Sequence, residues 1–220
     1  MLRLFFPTLL LVALGGCASL PSQQVVTDQS HERWAQRQLR LDTLDQWHLR
    51  GRVALFVKQD VYNLGLDWQR NGDQSFLKLE AALGQGMVQL SSRPGEVELK
   101  TSEGEHFFGQ NAEQVLRSAT GWALPVEGLQ SWIKGINHER SDYIPDIDAQ
   151  GRARTLQQDG WKINYLAYQK VDLRSFGAAE LPQKMYLRRD QLALKIVIDQ
   201  WQNEAAGAIG NDDLFPDFPK

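Results

Sequence analysis

From Trp47 onward the apolar side chains fall at every second position. That period excludes most folds other than a sheet with one buried face. Trp47, Leu49, Gly51, Val53, Leu55 and Val57 alternate with His48, Arg50, Arg52, Ala54, Phe56 and Lys58. Tyr62, Leu64, Leu66 and Trp68 repeat the pattern, and Asn71-Gly72-Asp73 supplies a hairpin turn. Leu77 and Leu79, Val88 and Leu90, and Val97 and Leu99 continue it, with Pro94-Gly95 as a further turn. Parallel strands need crossovers of a dozen or more residues, so connections this short mean an antiparallel meander. Strands resume over 153–158, 161–168, 185–188 and 192–201.

Helical spacing appears in three places. Trp34, Arg37 with Gln38, Leu41 and Leu44 predict an amphipathic helix over 30–44. Asn111 can cap a second helix, with Gln114 at its third position, Val115, Leu116 and Ala119 as its apolar stripe, and Gly121 as its stop. Pro125 fits the first position of a third, over 126–136, which turns Leu129, Trp132, Ile133 and Ile136 to one side. About ten or eleven strands with helices in the middle predict a mainly β, α+β architecture, a strongly curved sheet wrapped over a helical layer.

The N-terminus is organised differently. Arg3 precedes an apolar run of about ten residues, which falls short of the ~20 that cross a bilayer and reads as a signal peptide over 1–16. Leu14-Gly15-Gly16-Cys17 resembles a bacterial lipobox, with small residues beside the chain's one cysteine. A diacylglycerol on Cys17, followed by further acylation, would anchor the chain durably, since one chain alone binds only reversibly. Ala18 stands where an Asp would signal inner-membrane retention, so the expected address is the outer membrane. Residues 17–29 read as a lipidated tether, 30–204 as one domain and 205–220 as an irregular tail.

Composition narrows the chemistry. The formal charge is −3, and loss of Arg3 takes it to −4. A mildly acidic chain without a basic block predicts no nucleic-acid partner. With Cys17 acylated no thiol remains for disulfides or metal. His31, His48, His106 and His138 are scattered without metal-ligand spacing, and Asp146-Ile-Asp148-Ala-Gln150-Gly151 lacks the Glu that a calcium loop needs at its twelfth position. No nucleophile elbow, P-loop or dinucleotide fingerprint occurs, so no catalytic residue, metal or cofactor is expected. Seven Trp are spread along the chain, enough to fill a core or line a roomy apolar cavity. Leu83, flanked by Ala81-Ala82 and Gly84-Gln85-Gly86, lies between two strands where polar turn residues are usual. It either folds back onto the core or projects toward a bilayer or an acyl chain.

The stretches Gly121-Trp-Ala-Leu-Pro-Val-Glu-Gly-Leu-Gln-Ser-Trp-Ile-Lys-Gly135, Gln158-Asp-Gly-Trp-Lys-Ile-Asn-Tyr165, Leu181-Pro-Gln-Lys-Met-Tyr-Leu187 and Leu194-Lys-Ile-Val-Ile-Asp-Gln-Trp201 resemble, in order, the LolB family of outer-membrane lipoprotein receptors. The resemblance implies a curved antiparallel half-barrel closed by helices around a hydrophobic cavity. It implies receipt of acylated lipoprotein cargo from a LolA-like periplasmic chaperone and release into outer-membrane lipid, by a monomer anchored to that membrane. It places a membrane-inserting loop at Leu83-Gly84. Candidate cavity residues are Leu55, Leu66, Trp68, Leu90, Leu99, Ile163 and Ile196 from the apolar strand face, with Leu129, Trp132 and Ile133 from the helix. Each could equally be solid core. A Trp132→Glu change is expected to abolish acyl-chain capture while the fold survives. A lipid-anchored binder of another small hydrophobic ligand, and a structural envelope lipoprotein, are the competing readings.

Overall fold

The computed structural model of the chain describes residues 26–81, 86–174 and 176–202. The signal segment 1–16, Cys17, Leu83 with Gly84, and the tail 205–220 fall outside the described residues. Helix α1 (Asp28–Asp42) comes first, followed by strands β1 (Gln46–Val57), β2 (Asp60–Asn71), β3 (Gln74–Ala81), β4 (Met87–Arg93), β5 (Glu96–Thr101) and β6 (His106–Gly109). Helices α2 (Ala112–Thr120) and α3 (Val126–Trp132) intervene before β7 (Tyr143–Ile147), β8 (Ala153–Gln158), β9 (Trp161–Leu173), β10 (Gly177–Arg189) and β11 (Leu192–Gln202).

All eleven strands form one antiparallel sheet in the order β6-β5-β4-β3-β2-β1-β11-β10-β9-β8-β7. The chain therefore starts at the centre, walks to one edge, crosses to the other edge through α2 and α3, and walks back. The helices must cross the face of the sheet, and the alternation supplies an apolar face for them to cover. The first and last strands meet with a register shift between Arg50 and Gly51. A Cβ on Gly51 would stand 2.2 Å from the Val197 carbonyl oxygen, so only glycine lets the two backbones approach at this bend.

The mainly β architecture, the hairpin turns and the caps are as the sequence predicts. Asn111 Oδ1 accepts from the Gln114 backbone N–H at 2.9 Å, and Gly121 ends α2 in the left-handed region at φ 77°. Other details differ. Pro125 takes the N-cap of α3 rather than its first turn, and α3 stops at Trp132 instead of 136, because the backbone then folds into tight turns that close at Gly135 with φ 79°. Helix α1 starts at Asp28, two residues before the expected start. Strands β6 and β7 are additional. Asp146 lies in β7, whereas Asp148 closes the following turn by accepting from the Gln150 and Arg152 N–H groups. Strand β10 starts at Gly177, eight residues before the expected 185, and passes through Pro182 at a register shift. Such bulges are where a strand tolerates proline, and they interrupt the alternation that reveals strands.

Candidate functional site

The register aligns apolar side chains into rows that run across strands. Phe107, Leu99, Leu90, Leu77, Trp68, Leu49 and Trp201 form one such row from β6 to β11. Another runs from Tyr62 through Leu55, Leu194, Leu187 and Ile163 to Leu156. Between them lie Leu66 beside Leu79, and Ile196 beside Val53 and Met185. All ten candidate residues are buried, and all join one apolar cluster. Full burial of each large side chain contributes about 1.5–3 kcal/mol. The strand periodicity therefore identifies the buried face.

The helical roof is fixed most firmly at α3. Trp132 is fully buried and its indole Nε1–H donates to Gln158 Oε1 at 2.9 Å, while the Tyr165 hydroxyl donates to the Trp132 carbonyl at 3.1 Å. A Cβ on Gly128 would come within 2.9 Å of the Trp132 ring, so the helix surface is hollowed to receive it. Trp161 lies 6.3 Å from the same ring. The expectation that Trp132→Glu spares the fold is corrected by this setting. A carboxylate there would be buried without a partner, which costs several kcal/mol.

The packing is looser at the rim where the β1–β2, β3–β4 and β10–β11 connections emerge. Tyr62 is 40 % exposed, and its ring meets that of Trp122, in the α2–α3 link, at 5.0 Å. Val57, Ala81, Val88 and Leu192 are only partly buried at this end of the cluster. The residues that carry Leu83 leave from Ala81, so the apolar rim and that connection share one end of the sheet. Neither Tyr62 nor Trp122 stands among the ten candidates. Trp122 had a signal in being aromatic between Gly121 and Pro125, but its partner became apparent only through the crossover.

Polar chemistry lies outside this interior. A groove of about 510 Å³ runs along the outer side of α3, lined by Arg70, Lys134, Glu127, Arg140 and neighbours, and none of the ten candidates lines it. Burial lowers the Lys134 ammonium to about 8; it donates to the Leu44 carbonyl at 3.3 Å. Arg70 is likewise held down by burial and donates to Gln130 Oε1. On the outer sheet face burial pushes Asp67 up, but hydrogen bonds from His48 and Arg50 outweigh it and hold the carboxyl below its usual range. Among the described residues no cluster of three or more His, Cys, Asp or Glu could hold a metal ion, and no helix is long and apolar enough to cross a membrane.

Comparison with known proteins finds relatives along most of the chain. Outer-membrane lipoprotein LolB of Nitrosococcus oceani is 33 % identical over 201 residues, 91 % of this chain and 97 % of that protein. The protein of the same name from Marinobacter nauticus is 32 % identical over 92 % of this chain and 98 % of its own length. That of Coxiella burnetii is 32 % identical over 86 % and 88 %. Among solved structures, a DUF1329 family protein from Desulfovibrio piger superimposes with a TM-score of 0.48 at 10 % identity, covering 86 % of this chain and 98 % of that one. Residues 45–201, from just before β1 almost to the end of β11, match the family profile "Outer membrane lipoprotein LolB", and the chain belongs to the LolB family.

Proposed function

We propose that this chain, anchored through Cys17 to the periplasmic side of the outer membrane, accepts lipoproteins from a LolA-like chaperone and delivers them to the bilayer. The observation that carries the reading is one apolar interior, built from both meanders and α3, with the ring contact of Tyr62 and Trp122 at its rim. In the structure the described inward-facing residues pack as one apolar cluster. An acyl chain enters when Trp122 and the α2–α3 link lift from Tyr62, and it then lies against Leu55, Leu66, Trp68, Leu90, Leu99 and Ile196 on the sheet. Leu129, Ile133 and Ile163 line the part beneath α3, with Trp132 as the fixed support behind them.

Each buried methylene contributes about 0.8 kcal/mol. Transfer therefore runs down a gradient of binding free energy, tighter here than on the chaperone and tighter still in the membrane. Leu83-Gly84, in the β3–β4 connection, would enter the bilayer and set the exit. Reciprocal transfer needs one acceptor per cargo, so the chain is expected to act as a monomer.

The test uses a chain lacking residues 1–17, which retains every described element because the first begins at Asp28. A triacylated lipoprotein is offered on its chaperone and then chased into vesicles, with wild type and Leu83→Glu compared. The proposal expects receipt by both and onward delivery lost in Leu83→Glu alone. Absence of receipt by the folded wild type would reject it and leave the binder of a small hydrophobic ligand.

A further inference from the structure

The outer face of the sheet is divided by charge. On β1 to β5 its cations are matched to carboxylates: Arg50 and His48 to Asp67, Arg52 to Asp199 of β11, Lys78 to Glu80, and Lys100 to Glu98. On β9 to β11 they are not. Lys162, Arg188 and Lys195 project outward, since their strand neighbours Ile163, Leu187 and Ile196 are buried on the inner face. Among the described residues none of the three has a carboxylate within ion-pair distance.

Lys162 stands directly opposite Arg188, and Lys195 is opposite Tyr186 and beside Ala54. Like charges directly opposite on a sheet are destabilising. Lysines often blunt the edge of a sheet, but β9, β10 and β11 are interior strands, so that explanation does not apply. Nearby acids do not neutralise the group. Asp159 is occupied by His138 and Ser141, Asp199 by Arg52, Asp60 opens β2, and Asp190 lies in the β10–β11 turn.

The cations also share a location. At about 3.3 Å per strand residue, Lys162 and Arg188 lie about 7 Å and Lys195 about 13 Å from the turns at the rim. Lys58 occupies the β1–β2 turn at that rim, and its N–H donates to the Gln191 carbonyl of the β10–β11 turn at 3.1 Å. Val61, on the outer face beside it, is 52 % exposed. An exposed apolar side chain edged by unpaired cations matches the interface of a bilayer, where the apolar group enters and the cations meet phosphates.

We infer that Lys58, Lys162, Arg188 and Lys195 form a headgroup-binding collar that seats the rim on anionic phospholipid. The inference rests on the reading above that the β3–β4 connection faces the bilayer, and it adds what holds the rim there. An acidic protein surface is the competing occupant.

Flotation of the chain lacking residues 1–17, without cargo, separates them. Vesicles of phosphatidylcholine alone are compared with equal parts phosphatidylcholine and phosphatidylglycerol. Wild type is expected to bind the anionic vesicles more tightly and to lose that preference in high salt. Each collar charge contributes about fivefold, so changing all four to Gln weakens binding on the order of several hundred-fold. Lys184→Gln, one strand repeat farther from the rim, changes it by less than about twofold. Thermal unfolding checks the variant, which should be no less stable because the Lys162–Arg188 opposition is relieved. Equal binding to both vesicles, or a fourfold variant that floats like wild type, overturns the inference. Absence of vesicle binding together with slowed receipt from the chaperone complex also overturns it and assigns the face to an acidic protein. Anionic binding that persists when cargo receipt fails keeps the collar and rejects only the acceptor reading.

Discussion

Two parts of the apolar interior are closed in different ways. Beneath α3, Trp132 is held by hydrogen bonds through both its indole and its carbonyl, and it is seated against Gly128. At the rim, Tyr62 and Trp122 touch ring to ring across a crossover, with Tyr62 partly in solvent. The first arrangement is costly to open and the second is cheap. Fold stability and ligand entry are thereby assigned to separate parts of one continuous cluster, and the two can be changed independently.

The largest test of that separation is Trp132→Ala. Loss of a fully buried aromatic side chain should destabilise the fold by about 3–5 kcal/mol in urea unfolding. A loss below about 1 kcal/mol would mean that the α3 end is as loose as the rim. The next acts through pH. Lys134 titrates near 8 in the fold and near 10.5 unfolded, so the unfolded chain binds more protons between those values and stability rises with pH across that window. The rise should reach up to about 3 kcal/mol and vanish in Lys134→Met. Tyr165 and Tyr168, whose hydroxyls are pushed up by burial, oppose it only above about pH 10. Calorimetric scans of both proteins at pH 7 and 9.5 measure the difference.

Gly128→Ala forces the Trp132 ring to shift and should cost about 1–3 kcal/mol. The smallest effect on stability belongs to Trp122→Ala, within about 1 kcal/mol, because the side chain is only half buried. Stopped-flow uptake of a hydrophobic dye should nevertheless be faster in that variant. Slower or unchanged uptake would show that entry does not pass between Tyr62 and Trp122.

Much of this arrangement was legible in the residues. The alternation from Trp47 to Trp68 identifies both the strands and the buried face, and Asn111 and Gly121 bound α2 as expected. The LolB resemblance agrees with the family found by comparison. Periodicity fails where the backbone departs from it. The register shift at Pro182 conceals the first half of β10, and the short edge strands β6 and β7 carry too few alternations to register. The contact of Tyr62 with Trp122 joins residues far apart in the chain and depends on the path of the crossover. Alternation also reports which face is buried without reporting whether space lies beneath it. Leu55 and Ile163 read identically as core or as cavity wall.

The central claim is that acyl chains lie between the sheet and the helical roof. The most direct measurement is photo-crosslinking from a lipoprotein whose acyl chains carry a diazirine, after transfer to the chain lacking residues 1–17, with labelled residues mapped by mass spectrometry. The account predicts labelling of Tyr62, Trp122, Leu55, Leu66 and Ile196 on the inner face. Labelling confined to the outer sheet face or to the polar groove beside Lys134 would contradict it.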